Sequence, residues 1–375
     1  MDEREYFERL DPTTDDPEEL FEHFERRSGA GRTCYVLPSE RHGVERGTVI
    51  LGDGEAVVRG YPSVPRVLVL ETGIPRFFDA ETAVSVEEKL NGSNVRIADA
   101  GEPLAFTRSG IVCPYTTARA RERLPLSTFF ADHPDKMLCA ELIGPESPYT
   151  VHDYETIETN DFRVFGIRDR ESGDPLPVAE RRDCCEKYGF PQPRYFGQYD
   201  PETAAKGVRD AIAVLDAARR EGVMIRSADG ETILKYTTEA QHHDDLAYAF
   251  SLPFDHGQDF LFSRVVRDAF QAAEFDEDGD RLRERARDLG ESILLPMVET
   301  IRDVQADETI GERHVIRGDP ESVEALLEHL REQSLTLEIK GDSCKEDERV
   351  VEFVKVASST QDRIRYYLDG GVQDK

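Results

Sequence analysis

From Val64 to Tyr236 one pattern recurs: short runs of β-branched or aromatic residues, each cut off by Gly, Pro, Asn or Asp. "VLVLE", "AVSVEEKL", "NVRIAD", "LAFTRSG", "MLCAELIG", "FRVFGIRD", "VMIRS" and "TILKYTT" all have this form. Runs of this length between turn residues predict strands, and so many in succession predict a sheet-built body. One helix is expected to interrupt them. Asp200 caps it, Pro201 takes its first position, Val208, Ile212 and Leu215 form its apolar stripe, and Gly222 stops it. Beyond about Ala240 the period changes. Leu282, Ala286, Leu289, Ile293, Met297, Ile301 and Val304 recur at helical spacing, with Pro296 expected to kink or split the helix. The chain is therefore read as α+β.

Four parts follow. Residues 1–62 are read as a small β-rich N-terminal domain, with a helical segment around Tyr6 to Arg27 ahead of strands between Cys34 and Arg59. Residues 63–239 are the strand-rich centre, 240–312 an all-helical domain, and 313–375 a small C-terminal α/β domain. The last holds a helix ("PESVEALLEHLREQ"), a strand ("LTLEIK") and a closing amphipathic segment, "VVEFVKVASSTQDRIRYYL". An all-helical insert must bury its stripe against something, either the rest of its own chain or a second copy.

The formal net charge is −30, from 77 acidic and 47 basic residues, with lysine scarce among the latter. Such a chain repels nucleic acid in dilute salt. The acid is spread along the whole length, however, as in proteins of salt-loving archaea, and concentrated salt screens the repulsion. A nucleic-acid partner therefore stays admissible. No run of about 18 apolar residues occurs, so no membrane span is expected. The acidic start "MDEREYFERLDPTTDD" lacks an apolar signal core, which points to the cytoplasm. Six cysteines include no C-x-x-C pair, which disfavours a zinc ribbon. Two polar clusters fail as metal sites. A calcium loop from Glu274 would put Arg285 where a bidentate Glu belongs, and neighbours in "HHDD" (His242 to Asp245) point apart, leaving a polar helix start.

One lysine stands out. In "EEKLNGSNVRI" (Glu87 to Ile97), Asn91-Gly92 is the ordinary signal of a tight hairpin, but a hairpin does not explain Lys89. A lysine at a strand end on a core sheet can be desolvated, and desolvation favours the neutral, nucleophilic amine. "KLNGSN" resembles the Lys-x-Asp/Asn/His-Gly nucleophile motif of the covalent nucleotidyltransferases, the polynucleotide ligases and capping enzymes. "FTRSG" resembles the next motif, with Arg108, and "CAELIGPESPY" the third, with Glu141. "FRVFGIRD" resembles the fourth, with Phe165; "EGVMIRS" the fifth, with Glu221; and "ILKYTT" the last, with Lys235. All six stand in the superfamily's order within Val84 to Thr238. Over nearly its full length the chain resembles the archaeal homodimeric ATP-dependent RNA ligases, most specifically at "VEEKLNGSNVRI", "TRSGIVCPYT", "ELIGPESPY" and "ILKYTT".

The resemblance implies a nucleotidyltransferase catalytic domain with ATP-grasp-like antiparallel sheets, a helical dimerisation domain and hence a homodimer. It implies ATP and Mg2+, or Mn2+ in its place, and an RNA bearing 5′-phosphate and 3′-hydroxyl ends. Lys89 would take AMP from ATP, the adenylate would move to the RNA 5′-phosphate, and a 3′-hydroxyl would displace AMP. Glu221 is the expected metal-side carboxylate, with Glu141 sharing that duty or holding the ribose. Lys235 would bind the α-phosphate, Arg108 ribose or phosphate oxygens, and Phe165 would stack on adenine. Glu88 would read the base edge and Asn94 orient the phosphate end. There are departures: Asn91 replaces the common Asp, and Thr237 stands where many ligases carry a second lysine, with Arg226 as the candidate substitute. The competing readings are a DNA ligase or capping enzyme and an inactive RNA-binding dimer. The first two usually append an oligonucleotide-binding barrel after the Lys235-type motif, where this sequence turns helical.

Overall fold

The computed structural model describes residues 3–29, 32–52, 56–79, 82–345 and 347–372. Helices α1 (Glu3–Leu10) and α2 (Pro17–Phe21) precede an antiparallel meander of β1 (Glu25–Gly29), β2 (Arg32–Val36), β3 (Val49–Leu51) and β4 (Val57–Val58). Helix α3 (Leu70–Phe77) leads into β5 (Val84–Lys89), β6 (Ser93–Asp99) and β7 (Pro103–Thr107). Next come α4 (Pro114–Arg123), α5 (Leu126–Asp132), β8 (Lys136–Ile143), β9 (Asp161–Asp169) and α6 (Val178–Tyr188). Strand β10 (Tyr195–Tyr199), helix α7 (Pro201–Ala217), β11 (Gly222–Ser227) and β12 (Ile233–Thr237) complete the centre. Three helices follow: α8 (Glu239–Ser251), α9 (Gln258–Glu274) and α10 (Gly279–Gln305). The chain closes with β13 (Gly311–Gly318), α11 (Pro320–Glu332), β14 (Leu337–Lys345), β15 (Glu348–Val356) and α12 (Ser358–Leu368). Among the described residues no helix is long and apolar enough to cross a membrane.

The centre is two antiparallel four-stranded sheets, ordered β10-β5-β11-β12 and β7-β6-β8-β9. Consecutive strands β5 and β6 lie in different sheets. The expected Asn91-Gly92 hairpin is therefore a crossing from one sheet to the other. Gly92 serves close approach there: a Cβ on it would lie 2.4 Å from the Leu142 carbonyl oxygen and 2.9 Å from the Glu141 side chain.

Alternation sets the two faces of the first sheet. Val84, Val86, Val223, Ile225, Leu234 and Tyr236 point outward into a core with Ala204, Val208, Ile212 and Leu215 of α7. Val67, Leu70, Ile74 and Phe78 enter the same core at helical spacing. That corrects the strand expected for "VLVLE". Val67 to Val69 are irregular, with Val69 extended as the cap of α3, and only Leu70 and Glu71 of the run are helical; Glu274 accepts hydrogen bonds from their free N–H groups. Helix α7 has Pro201 at its first turn, but Asp200 caps it without a side-chain bond, and it ends at Ala217, well before Gly222, which opens β11.

The second sheet buries Val95, Ile97, Leu138, Ala140, Phe162 and Val164 against α4 to α6. Its other face takes the N-terminal meander, with Val36, Val49 and Leu51 on Phe106, Met137 and Cys139. Fully buried Arg96 joins the two, donating to the carbonyl oxygens of Arg59, Gly47 (2.8 Å) and Thr107 (3.0 Å). Strand β1 already begins at Glu25, so the helical segment expected to reach Arg27 ends early. The C-terminal sheet, β13-β15-β14, and α11 pack on Tyr115 of α4. The closing amphipathic segment divides into β15 and α12.

Helix α10 continues through Pro296, so of the expected kink or split the split does not occur. Proline removes one backbone donor, and contacts at both ends hold the helix in register. Arg285 is closed by Asp268 (2.8 Å), Glu239 (2.7 Å) and Glu277 (2.5 Å), and the Thr300 hydroxyl donates to the Ser251 carbonyl (2.9 Å). "HHDD" is less solvated than a polar helix start. His242 is buried between Thr237 and Asp268, while Asp244 and Asp245 pair with Arg219 and Arg264. Asp278 of the acidic loop caps α10 through its side chain.

Candidate active site

The inner face of the first sheet is built in cross-strand rows. Lys89, Gly222 and Thr237 share one row; Glu87, Met224 and Lys235 the next; Ser85, Arg226 and Ile233 the third. The second sheet faces these rows with Asn94 of β6 directly opposite Glu141 of β8. Between them lies a cleft of about 350 Å³. Glu88, Lys89, Asn94, Arg108, Glu141, Phe165 and Lys235 all line it. Glu221, just before β11, is not on that lining, but its carboxylate oxygen is 2.6 Å from Lys89 Nζ.

Local structure aims each group. Phe165 is the extra residue of a β-bulge, since Cys139 pairs with Gly166 and Ala140 with Val164. Bulges re-aim side chains, and here the ring turns into the cleft, edge-on to Tyr61 with centroids 5.2 Å apart. Arg108 sits in the turn after β7, held because Gly47 presses on its carbonyl: a Cβ there would lie 2.2 Å from that oxygen. The Tyr154 hydroxyl accepts from Asn91 N (2.9 Å), and the Asn91 amide donates to Gln241 of α8 (2.7 Å). Asn91 thus turns away from the cleft toward the helices.

The electrostatics of the cleft are strongly perturbed. Burial pushes the Glu141 carboxyl up to about 8; the Lys89 ammonium opposes this, Glu221 adds to it and Arg108 opposes it. Burial, then the charges of Arg66 and Lys89, bring the Lys235 ammonium down to about 8. Burial raises Glu88 against the pull of Arg220, Arg194 and Arg163.

Several placements differ from the sequence reading. Glu88 alternates to the opposite face from Lys89, with Arg220 Nε 3.9 Å away, and also lines the cleft. Glu87 is the acid on the inner face, buried and paired with Arg181, Arg182 (3.3 Å) and Arg226 (3.4 Å). Period-two counting back from Lys89 would have found it. Arg226 does not take the place of a lysine at 237. It lies two rows away, donating to the Tyr61 hydroxyl (3.1 Å) with its guanidinium 5.8 Å from the Phe165 ring centre. Tyr61 and Met224 also line the cleft, and no motif in the sequence marks them.

A hard divalent cation suits this donor set. Glu221 and Glu141 supply carboxylates, and Asn94 adds a buried amide oxygen with no hydrogen-bond partner among the described residues. No cluster of three or more His, Cys, Asp or Glu forms a metal cage among the described residues. Ions such as Mg2+ take one or two carboxylates and fill their shell with water and phosphate oxygen.

Two facing antiparallel sheets with a lysine–glutamate pair and a bulge-mounted aromatic between them define a nucleotidyltransferase-fold ligase. The model of the RNA ligase family matches residues 82–237, and that of the ligase Pab1020 C-terminal region matches residues 248–371. The chain is 40% identical over 347 residues to the Methanocaldococcus jannaschii protein MJ0414, covering 89% of this chain and 87% of that one. A solved structure described as an archaeal ATP-dependent RNA ligase, form 1, superposes at TM-score 0.91 and 41% identity over 100% of both chains. The chain belongs to the archaeal ATP-dependent RNA ligase family. A putative ATP-dependent DNA ligase from Aquifex aeolicus shares the fold, with TM-score 0.87 over 94% of this chain and 97% of that chain, at 24% identity.

Proposed function

We propose that this ligase joins an RNA 5′-phosphate to a 3′-hydroxyl, closing one strand into a circle or joining two, through lysyl-AMP and adenylylated RNA. The observation that carries the reading is the Lys89–Glu221 contact of 2.6 Å beside a cleft that also holds Lys235 and Phe165. Lys89 is the nucleophile. Glu221 holds its ammonium in place, and the amine attacks once its proton has left. Lys235 and Arg108 bind phosphate and ribose oxygens, where charge neutralisation and alignment carry phosphoryl transfer. Phe165 stacks on the adenine, Glu88 borders the base, and Asn94 steers the phosphate end. Glu221 and Glu141 would hold Mg2+ or Mn2+, which would neutralise phosphate charge when bound.

Residues 1–62, 63–239, 240–312 and 313–375 act as N-terminal, catalytic, dimerisation and C-terminal domains. The protein works in the cytoplasm of a halophilic archaeon, as its −30 charge suggests. It works as a homodimer, because Leu294 and Leu295 of α10 are 60% and 52% exposed in one chain.

Intact-mass spectrometry tests the chemistry. Wild type with ATP and Mg2+ should gain one AMP, mapped to Lys89, and GTP should give less. An equal adduct on Lys89→Ala rejects the assignment.

A further inference from the structure

Arg66 is a cation without an anion. The segment before α3 runs beside β12, with Lys235 N donating to the Pro65 carbonyl (3.0 Å) and Val67 N to the Lys235 carbonyl (3.2 Å). Arg66 is thereby the direct neighbour of Lys235, and its Nη1 donates to the Thr237 hydroxyl (2.6 Å). Its Nε is buried with no hydrogen-bond partner, and no carboxylate lies within ion-pair distance among the described residues. Most buried arginines of this acid-rich chain are closed, and Arg168, whose Nε is likewise unpartnered among the described residues, lies with its guanidinium 5.6 Å from the Tyr61 ring centre. Arg59, Arg181, Arg226 and Arg285 each meet a carboxylate, and Arg96 meets backbone carbonyls. The groups whose charges act on Arg66 are two further cations, Arg267 and Arg264 of α9, and two carboxylates, Glu221 and Asp245, of which Glu221 is paired with Lys89. Arg264 is spoken for by Asp245 (2.8 Å), whereas Arg267 has no ion pair among the described residues. Like charges left together in a partly dry site ask for an anion.

The row geometry says which anion. Lys89 and Thr237 flank Gly222 on the inner face, so Lys89 lies on one side of a residue with no side chain and Arg66 on the other. At about 4.8 Å per strand, the strands carrying Lys89 and Thr237 stand roughly 10 Å apart. A phosphorus over Gly222 would have the attacking amine on one side and Arg66 where an in-line leaving group departs. Phe165 lies at the opposite end, by the Arg226 row, about 13 Å along the strand from Gly222 at about 3.3 Å per residue. That separation matches a base at one end and a phosphate tail at the other.

We infer that Arg66, backed by Arg267 of α9, receives the β- and γ-phosphates of the nucleotide and holds pyrophosphate as it leaves. The inference rests on Lys89 as nucleophile. In that step the Nζ–phosphorus bond forms and the bond from the α-phosphorus to the bridging oxygen breaks. Pyrophosphate leaves with the electron pair, and the amine proton goes to solvent. Neither arginine lies within the matched RNA ligase segment, residues 82–237.

Calorimetric titration on a Lys89→Ala background, which cannot turn over, separates the tail from the base. The parent should bind ATP more tightly than AMP. Arg66→Ala should weaken ATP about 10-fold or more and AMP less than about 3-fold, with Arg66→Lys recovering part of the loss. Arg267→Ala, on a helix outside the sheets, should show the same signature more weakly. With Lys89 intact, Arg66→Ala should slow AMP-adduct formation about 10²-fold, and sealing of RNA that already carries a 5′-adenylate by less than about 3-fold. Equal losses for ATP and AMP, or equal losses in adduct formation and sealing, would overturn the assignment; the second pattern would place RNA phosphate at Arg66 instead. A wild type that forms no adduct yet prefers ATP to AMP through Arg66 would reject the nucleophile and leave this site standing.

Discussion

Glu141 is the residue whose ionisation most colours the cleft. Burial raises its carboxyl to about 8, against an ordinary 4.5, with Lys89, Glu221 and Arg108 as its charged neighbours. A carboxyl that holds its proton more tightly when folded contributes stability that is complete below pH 4.5 and lost as pH climbs through 8. Lys235 works the other way in a separate window. Its folded value near 8, below 10.5, gives stability present above 10.5 and lost as pH falls through 8. Below pH 8 the Glu141 effect therefore dominates this pair. Glu141→Gln, an uncharged isostere, should melt at nearly the wild-type temperature at pH 5 and several degrees above it at pH 8, measured by calorimetry in constant salt. A wild-type advantage that grows with pH would contradict the buried, protonated carboxyl. At this scale, legibility followed the chemistry of each side chain. Lys89, Glu221 and Lys235 stood inside short strings whose order carried the meaning. Glu87 was hidden beside Glu88 because composition cannot tell two adjacent acids apart, although alternation can. Arg66 was invisible, since its relation to Lys235 is a pairing between distant segments.

At the scale of elements, local signals were read well where local physics decides, and poorly where the tertiary fold overrides it. The strands around "NVRIAD", "FRVFGIRD" and "TILKYTT" form where short β-branched and aromatic runs stand between turn residues, although both faces of the second sheet are covered and a bulge breaks the alternation of "FRVFGIRD". "VLVLE" does not, because the helix α3 opens at its Leu70 and leaves Val67 to Val69 as an irregular lead-in. The Asn91-Gly92 dipeptide signals a hairpin, since nothing in two residues says that the flanking strands join different sheets. That crossing matters to the site: it carries the chain from Lys89 on one wall to Asn94 on the other. Gly92→Ala tests it. Its added methyl would meet the Leu142 carbonyl at 2.4 Å, a backbone atom that cannot swing aside. Overpacking of this kind should cost about 1–3 kcal/mol of stability in a denaturant titration. AMP-adduct formation should fall further than that loss explains, because Lys89 and Asn94 shift relative to each other. Unchanged stability and adduct yield would mean that the crossing has slack the geometry does not show.

For the whole molecule, the deciding tension is between apolar surface and charge. Helix α10 is pinned near one end through Arg285 and near the other through Thr300 and Val304, while between them Leu294 and Leu295 stay open and Ile293 and Met297 are half-covered. The stripe predicted association, and its uncovered middle is where a second copy would sit, the same patch meeting itself in a two-fold pair. Against this stands a charge of −30 on each chain. Two such chains repel over a screening length of about 10 Å at 0.1 M salt but about 3 Å at 1 M, so salt should govern whether the apolar contact wins. Multi-angle light scattering at micromolar concentration should find the mass of two chains in molar KCl and a growing share of single chains as KCl is lowered. Leu294→Asp with Leu295→Asp should give single chains throughout, because each pair of copies would bring four new carboxylates into one dry contact. That variant should still accept AMP, since the cleft between the two sheets lies within one chain. Single chains of wild type in molar KCl would reject the dimer, and a double variant that stays paired would move the interface off α10.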